Sequence, residues 1–290
     1  MGDRLAVCPG QSPTKNQVLE PKVLQGGRYR EDELSGKEDP HEIERLYNQL
    51  PFVLPHSLPE SERIRGLRLM LEYYKVDEIL RKWQIMSTIV IFGSARVDEN
   101  GPGSQSRWYN EARSFAKLAS KEGGAVCDVG GERHNVITTG GGPGIMEAAN
   151  RGAYEVGAPS IGFHVKLIYE EHPNPYTTPD LTFTFHYFAL RKLHLALRAN
   201  AFVAFPGGLG TIDELFELLT LAQTGKMPRV PVLLVDREYW EKAVNFEYLF
   251  KTNMIDEKDL SLVQYVETGD AAWDLLKKTN IPQEVRFSSS

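Results

Sequence analysis

The chain is poor in cysteine and has no long apolar run. Its two cysteines, Cys8 and Cys127, are far apart, and neither lies near a second Cys or a His pair at the spacing of metal ligands. We therefore expect reduced thiols and no metal site. No apolar run approaches the roughly 18 residues that span a bilayer, and residues 1–10 contain no hydrophobic signal core. The sequence predicts a cytoplasmic protein with no membrane partner.

The sequence also has fewer basic than acidic residues. The 290 residues include 33 Lys and Arg against 39 Asp and Glu, which gives a net charge of −6, and the pI is about 5.7. A surface with this balance of charges does not attract nucleic acid overall, although a local site for an anion stays compatible with it. Because 41% of the residues are hydrophobic, the chain can bury the core of one large α/β domain or of two modest ones.

The N-terminal part has little apolar periodicity. Residues 1–55 combine scattered prolines with a charge-dense stretch, which predicts a tail that is partly disordered or lies over the main body. Residues 56–86 are predicted to be a helical extension, because residues 57–60 have capping-box spacing with a proline in the first turn. An apolar stripe follows at helical spacing: Ile64, Leu67, Leu71, Tyr74, Ile79 and Trp83. Two partners for this stripe stay open, the domain that follows and a second subunit.

Between residues 87 and 280, short apolar runs alternate with amphipathic segments. Strands are predicted at 88–92, 136–138, 160–165, 181–185, 201–205, 230–235 and 263–266, and helices at 107–121, 145–156, 189–198, 211–224, 239–251 and 271–278. This alternation predicts an α/β domain with a doubly wound parallel sheet, and residues 281–290 are predicted to be a tail. The ligand site of such a sheet lies outside the carboxyl ends of its strands.

Turns rich in glycine or small residues follow three of the predicted strands, at 92–95, 138–144 and 205–211. Glycine lets backbone N–H groups come close to a ligand, and the start of a following helix adds unpaired N–H groups and a positive dipole end. One such turn alone can be purely structural, because a tight strand-to-helix turn needs glycine without any ligand. Three turns at one edge of one sheet favour a phosphate cradle.

Two familiar nucleotide-binding patterns are absent. The glycine turns lack the Gly-Lys-Ser/Thr of a Walker A loop, which counts against an ATPase or kinase, and the order G-x-G-x-x-G is missing, which counts against hydride transfer. Polar residues near the turns are Glu214 and the pair Arg191 and Lys192. A carboxylate and a guanidinium beside a phosphate cradle indicate hydrolysis or transfer on a sugar phosphate. A structural interpretation also stays open, with Glu214 as a helix-dipole partner and Arg191 as a surface cation.

The motifs at 206–214, 191–192 and 140–146 resemble those of the "lonely guy" family of cytokinin-activating phosphoribohydrolases, which are often labelled lysine decarboxylases. The resemblance covers residues 88–278 and looks like a longer bacterial branch of the family. It implies a Rossmann-like fold, a homodimer or larger homo-oligomer, and hydrolysis of a nucleoside 5'-monophosphate to free base and ribose 5-phosphate. No lysine motif for pyridoxal phosphate is evident, so we expect neither decarboxylase activity nor a cofactor.

The family uses the arginine and the glutamate that match Arg191 and Glu214, so the resemblance makes these two the catalytic pair. We assign Glu214 the role of stabilising the positive charge that develops at the anomeric carbon, or of taking a proton from the attacking water. We assign Arg191 the role of orienting the substrate or stabilising charge. The substrate and phosphate contacts are assigned to Gly93, Ser94, Gly141, Gly142, Gly144, Met146, Lys192, Gly207, Gly208, Gly210 and Thr211. His186 and Tyr187 are candidates for protonating the leaving base, and a packing role for them stays open.

A second class of function also fits the glycine turns. Molybdenum-cofactor carrier proteins share a related Rossmann fold and a similar Pro-Gly-Gly turn, and a non-catalytic carrier of this kind needs the phosphate cradle without the two charged residues. The presence of both Arg191 and Glu214 favours the enzyme.

Overall fold

A computed structural model describes residues 65–126, 131–165 and 172–279 of the chain. The predicted N-terminal tail, the predicted helix start at residues 57–60, both cysteines and the predicted C-terminal tail lie outside these residues.

The described residues form one parallel sheet of seven strands in the order β4-β3-β2-β1-β5-β6-β7. The strands are β1 (Thr88–Phe92), β2 (Val136–Thr139), β3 (Ser160–Val165), β4 (Thr182–Phe185), β5 (Ala199–Ala204), β6 (Val232–Val235) and β7 (Gln264–Val266). Every residue of β1, β2, β3 and β5 is buried, as expected for strands covered on both faces. The chain runs outward from β1 to β4, returns beside β1 as β5, and continues to β7. The strand order therefore reverses between β1 and β5.

Helices cover both faces of this sheet. They are α1 (Arg65–Lys82), α2 (Gln105–Glu122), α3 (Ile145–Glu155), α4 (Phe188–Leu197), α5 (Leu209–Gln223), α6 (Arg237–Ala243), α7 (Phe246–Lys251) and α8 (Gly269–Lys278), with short 3-10 turns at Pro179–Leu181 and Glu257–Leu262. Helices α2 and α3 pack against each other, and the right-handed rule for parallel crossovers assigns them to one face of the sheet and α5 to the other. The predicted α/β, Rossmann-like fold with an N-terminal helix is confirmed.

The predicted apolar stripe of α1 is partly wrong. Leu67 and Tyr74 are 38% and 62% exposed. The buried side chains of α1 are Glu72, Val76, Asp77 and Leu80. The helix therefore presents a face to the domain that lies to one side of the predicted stripe, and two of the four buried residues on it are acidic.

These two acids are buried because they bind α4 and the residues around it. Glu72 accepts a hydrogen bond from the backbone N–H of His186 at 2.5 Å, and Asp77 pairs with Arg198 at 2.6 Å. Contacts of this kind offset the cost of burying a carboxylate. Apolar periodicity cannot reveal them, because the partners lie more than a hundred residues away in the sequence.

The single helix predicted at 239–251 is also wrong, since two short helices, α6 and α7, occupy this range. Val244 is extended, with φ −142° and ψ 115°. The Asn245 side chain then accepts a hydrogen bond from the backbone N–H of Tyr248 at 2.8 Å and begins a new helix. None of the described helices is long and apolar enough to cross a membrane.

Candidate active site

The three glycine turns meet at the carboxyl edge of the sheet, next to the point where the strand order reverses. The backbone N–H of Ser94, after β1, donates to the carbonyl of Pro206, after β5, at 3.1 Å. The N–H of Ile145, which begins α3 after the β2 turn, donates to the carbonyl of Ser94 at 3.1 Å. The turn after β1 thus joins the other two, and Gly93 lies directly against the Ile145 side chain.

The turn after β2 is fixed from inside the protein. The N–H of Gly141 donates to Thr139 Oγ1 at 2.9 Å, and the carbonyl of Gly141 accepts from the N–H of Asn174 at 2.7 Å. The Asn174 side chain donates to the carbonyl of Gly142 at 2.9 Å and to Asn150 Oδ1 at 3.0 Å. The Gly141 N–H is therefore already bound within the protein and is not available to a ligand.

The turn after β5 is open. Gly208 is the N-cap of α5, and no side chain of the described residues caps this helix. The N–H groups of Leu209, Gly210 and Thr211 have no acceptor within their own helix, because the first turn of an α-helix lacks preceding carbonyls. Residues 208–210 are exposed, whereas Thr211 is buried with its side chain facing Gly207. An anion would meet backbone donors and a positive dipole end here.

Arg191 of α4 and Glu214 of α5 form a nearly buried ion pair beside this turn. Arg191 Nη2 lies 2.5 Å from Glu214 Oε1, and the two side chains are only 12% and 14% exposed. The guanidinium lies over the Phe188 ring, 4.4 Å from its centroid. A Cβ atom at Gly140 would lie 2.9 Å from Met146 Sδ and 3.5 Å from Arg191 Nη1, so the pair reaches the turn after β2 as well.

Burial and the neighbouring charge act in opposite directions on Glu214. Burial raises the pKa of its carboxyl above the ordinary value of 4.5, although the positive charge of Arg191 lowers it. Arg191 Nε is buried and has no hydrogen-bond acceptor among the described residues. The guanidinium thus holds Glu214 with one nitrogen and keeps another donor for an acceptor that these residues do not supply.

Lys192 is bound to α5. Its Nζ lies 2.7 Å from Asp213 Oδ2 and 2.9 Å from Glu217 Oε2. Burial works against its charge, but the hydrogen bonds that it donates to these two carboxylates raise the pKa of Lys192. The predicted phosphate contact of Lys192 stays a prediction, and the contacts in the structure are those with Asp213 and Glu217.

His186 and Tyr187 lie at the start of α4, one turn before Arg191. With Arg65, Arg68, Leu69, Phe188 and Ala189 they line a cavity of about 430 Å³. The backbone N–H of His186 donates to Glu72. The rings of His186 and Tyr187 meet edge to face, with their centroids 4.7 Å apart. Phe188 lies between this cavity and the Arg191 guanidinium. Within the described residues, no group of three or more His, Cys, Asp or Glu side chains could hold a metal ion.

Sequence reasoning did not find Tyr239, whose hydroxyl donates to the carbonyl of Gly207 at 2.7 Å. It also missed Asn150 and Asn174, which hold the turn after β2, and Glu72 beneath the start of α4. Asn150 falls in the helix predicted after the glycine turn, and its complete burial is visible only in the fold. Tyr239 lies at the start of a predicted helix and is not part of any recognised motif.

Comparisons with known proteins agree with the motifs. Residues 146–276 match the family model described as "Possible lysine decarboxylase". A cytokinin riboside 5'-monophosphate phosphoribohydrolase of Rhodococcoides fascians is 41% identical over 56 residues, which are 19% of this chain and 28% of that protein. One of Arabidopsis thaliana is 28% identical over 137 residues, which are 46% of this chain and 63% of that protein. The chain thus spans less than two thirds of the length of these curated relatives.

Among solved structures, the chain is similar to the molybdenum cofactor binding protein of the phototrophic bacterium Rippkaea orientalis. The TM-score is 0.45 and the identity 19%, over 67% of this chain and 96% of that one. The resemblance drawn from the motifs is confirmed by the family model over residues 146–276 and by the curated relatives.

Proposed function

We propose that this protein hydrolyses the N-glycosidic bond of a nucleoside 5'-monophosphate, AMP or a cytokinin-type riboside monophosphate, to free base and ribose 5-phosphate. The observation that carries the proposal is the nearly buried pair of Arg191 and Glu214 beside the uncapped, exposed start of α5. The helix start supplies donors for a 5'-phosphate, and the pair supplies charge for a reacting sugar. The names of the relatives in Rhodococcoides fascians and Arabidopsis thaliana support the same reaction.

In this reaction water adds to the anomeric carbon, the bond from that carbon to the base breaks, and the base leaves with a proton. Positive charge develops on the sugar before water adds, so a carboxylate near the anomeric carbon stabilises the transition state or takes the proton of the water. Glu214 has this role. A guanidinium is a poor general acid, so Arg191 orients the substrate and holds Glu214 rather than donating a proton.

The 5'-phosphate binds at Gly207, Gly208, Gly210 and Thr211, where the backbone donors are open. Gly93, Ser94, Gly142, Gly144 and Met146 lie around the nucleoside, together with Gly141, whose amide is already bound to Thr139. Since the protein is acidic overall, the affinity for phosphate has to come from these local donors.

The test is to incubate the purified protein with AMP and with adenosine and to measure free adenine by chromatography. AMP should be cleaved far faster, because adenosine lacks the group that the start of α5 binds. Glu214→Gln keeps the shape of the side chain but not its charge, and it should lose about 100- to 1000-fold in turnover while still binding AMP. Binding of AMP without release of base by the unaltered protein would instead support a non-catalytic nucleotide carrier.

We also propose that the enzyme is cytoplasmic and, as its resemblance implies, a homodimer or larger homo-oligomer. Five large apolar side chains of α1 and α4 are at least 38% exposed: Leu67, Met70, Tyr74, Phe188 and Leu193. An exposed apolar surface of this kind is typical of an interface. Light scattering after gel filtration should give at least twice the 32.7 kDa of one chain, and a mass of 32.7 kDa would contradict the homo-oligomer.

A further inference from the structure

Helix α6 holds the end of β5 and the turn that follows it. Trp240 Nε1 donates to the carbonyl of Ala204, the last residue of β5, at 3.2 Å. The Tyr239 hydroxyl donates to the carbonyl of Gly207, in the middle of the turn, at 2.7 Å. Two adjacent aromatic residues of α6 therefore bind two points of the chain that leads into α5.

Tyr239 is itself held in place by Asp236 at the end of β6. Asp236 has φ +70° and ψ 85°, a backbone conformation that costs energy for a residue with a side chain. Its carboxylate accepts from the backbone N–H of Tyr239 at 3.0 Å and from Trp108 Nε1 at 2.8 Å, and it pairs with Arg107. The Trp108 ring meets the Tyr239 ring at 5.7 Å. Asp236 and Trp108 together fix where the hydroxyl of Tyr239 lies.

The hydrogen bond to Gly207 also sets the direction of the next N–H group. The peptide bond between Gly207 and Gly208 is trans, so its carbonyl and its N–H point in opposite directions. With the carbonyl held toward Tyr239, the N–H of Gly208 points away from α6. Gly208 is exposed, and among the described residues beyond its two chain neighbours no atom comes within 4 Å of where its Cβ would be.

We infer that Tyr239 is a positioning residue: its hydroxyl fixes the peptide between Gly207 and Gly208 so that the Gly208 N–H faces the 5'-phosphate of the substrate. The inference rests on the proposed function. Glycine on both sides of this peptide would otherwise leave it free to rotate, because glycine restricts the backbone less than any other residue. A donor already held in its binding direction loses less entropy when the phosphate binds.

The test compares the full chain with Tyr239→Phe, which removes one oxygen and keeps the ring beside Trp108 and Trp240. Calorimetry with ribose 5-phosphate should show binding weakened about fivefold to tenfold, the worth of one oriented hydrogen bond. The KM for AMP should rise by a similar factor, and kcat should change by less than about twofold, because the contact binds substrate and transition state alike. Adenosine, which has no phosphate, should bind both proteins equally.

Tyr248→Phe is the matched control, because Tyr248 is 62% exposed on α7. It should leave the affinity for ribose 5-phosphate unchanged, and both variants should melt within a few degrees of the unaltered protein. Tyr239→Phe with an unchanged affinity for ribose 5-phosphate would overturn the inference alone. If the unaltered protein binds ribose 5-phosphate without cleaving AMP, weaker binding by Tyr239→Phe still supports the inference, and only the proposed reaction fails. No binding of ribose 5-phosphate by the unaltered protein would overturn both.

Discussion

The turn after β2 and the turn after β5 carry glycine at the same place in the fold, between the carboxyl end of a strand and the start of a helix. In the turn after β2, Gly144 has φ +69°, and a Cβ atom there would collide with the carbonyl oxygen of Ser94. In the turn after β5, Gly208 has φ −85°, and a Cβ atom there would meet no other described part of the chain within 4 Å. Gly144 is needed by the fold, whereas nothing in the fold requires glycine at position 208.

The two turns also differ in how their backbone groups are used. The first N–H of α3 is bound to Ser94, and the N–H of Gly141 is bound to Thr139, so the turn after β2 directs its donors into the protein. Within the described residues, the start of α5 has no side-chain cap and is exposed. Gly208 is not demanded by any contact with these residues or by its dihedral angles, and the neighbouring N–H groups have no acceptor among them. This combination indicates a place kept open for a ligand. Four substitutions test this difference.

Gly144→Ala should have the largest effect. The positive φ costs about 1 kcal/mol for alanine, and the collision with Ser94 adds a shift of the backbone, so we expect a loss of at least about 3 kcal/mol in the free energy of unfolding. The matched control is Gly157→Ala, which has φ +72° but open space around its Cβ. It should lose only the dihedral cost of about 1 kcal/mol. Equal losses in urea unfolding would show that the close approach to Ser94 is unimportant.

Asn150→Ala should have the next largest effect, because it removes the amide at the centre of the network that holds the turn after β2. Asn150 is completely buried and binds Thr139, Ser160 and Asn174. Leaving these groups unpaired should cost about 2 to 3 kcal/mol of the free energy of unfolding. Asn110→Ala, at an exposed position of α2, should cost no more than about 0.5 kcal/mol. A small loss at Asn150 would mean that water replaces the amide.

A feature of the turns could be predicted from the sequence when it depends on residues that are close together along the chain. The strands, most helices and the position of the three turns depend on local apolar periodicity and on glycine, and these were predicted to within a few residues. The proximity of Arg191 and Glu214 was expected because each is close to a strand end or a motif, and the structure places their atoms 2.5 Å apart.

Other features depend on contacts between distant parts of the chain. Asn174 reaches the turn after β2 from a loop about thirty residues further on, and Tyr239 reaches the turn after β5 from a separate helix. Glu72 is buried where it accepts hydrogen bonds from the backbone N–H groups of His186 and Tyr187. A pattern of residue types along the chain contains no information on which distant side chain fills a given gap, so these residues could be found only from the fold.

Gly208→Ala should leave the fold intact and weaken ligand binding. Because its φ is −85° and its Cβ would be clear of the described residues, the free energy of unfolding should fall by no more than about 1 kcal/mol, the preference for glycine over alanine at an N-cap. The added methyl group lies where a phosphate would approach the backbone, so the affinity for ribose 5-phosphate should fall about tenfold. Gly66→Ala in α1, whose Cβ would also be clear of the described residues, should leave the affinity for ribose 5-phosphate unchanged. Unchanged binding by Gly208→Ala would place the phosphate elsewhere.

The smallest effect is expected for Lys192→Met, which asks whether the cation beside the β5 turn acts on the ligand or only on α5. Lys192 is held between Asp213 and Glu217, so most of its charge is already balanced, and we expect the affinity for ribose 5-phosphate to fall only about threefold. Glu217→Gln breaks one of the same ion pairs but keeps the cation. If both variants weaken binding equally, Lys192 acts by holding α5 in position. If Lys192→Met alone weakens binding, the charge of Lys192 acts directly on the phosphate. The turn after β5 then binds the ligand with a side chain as well as with its backbone.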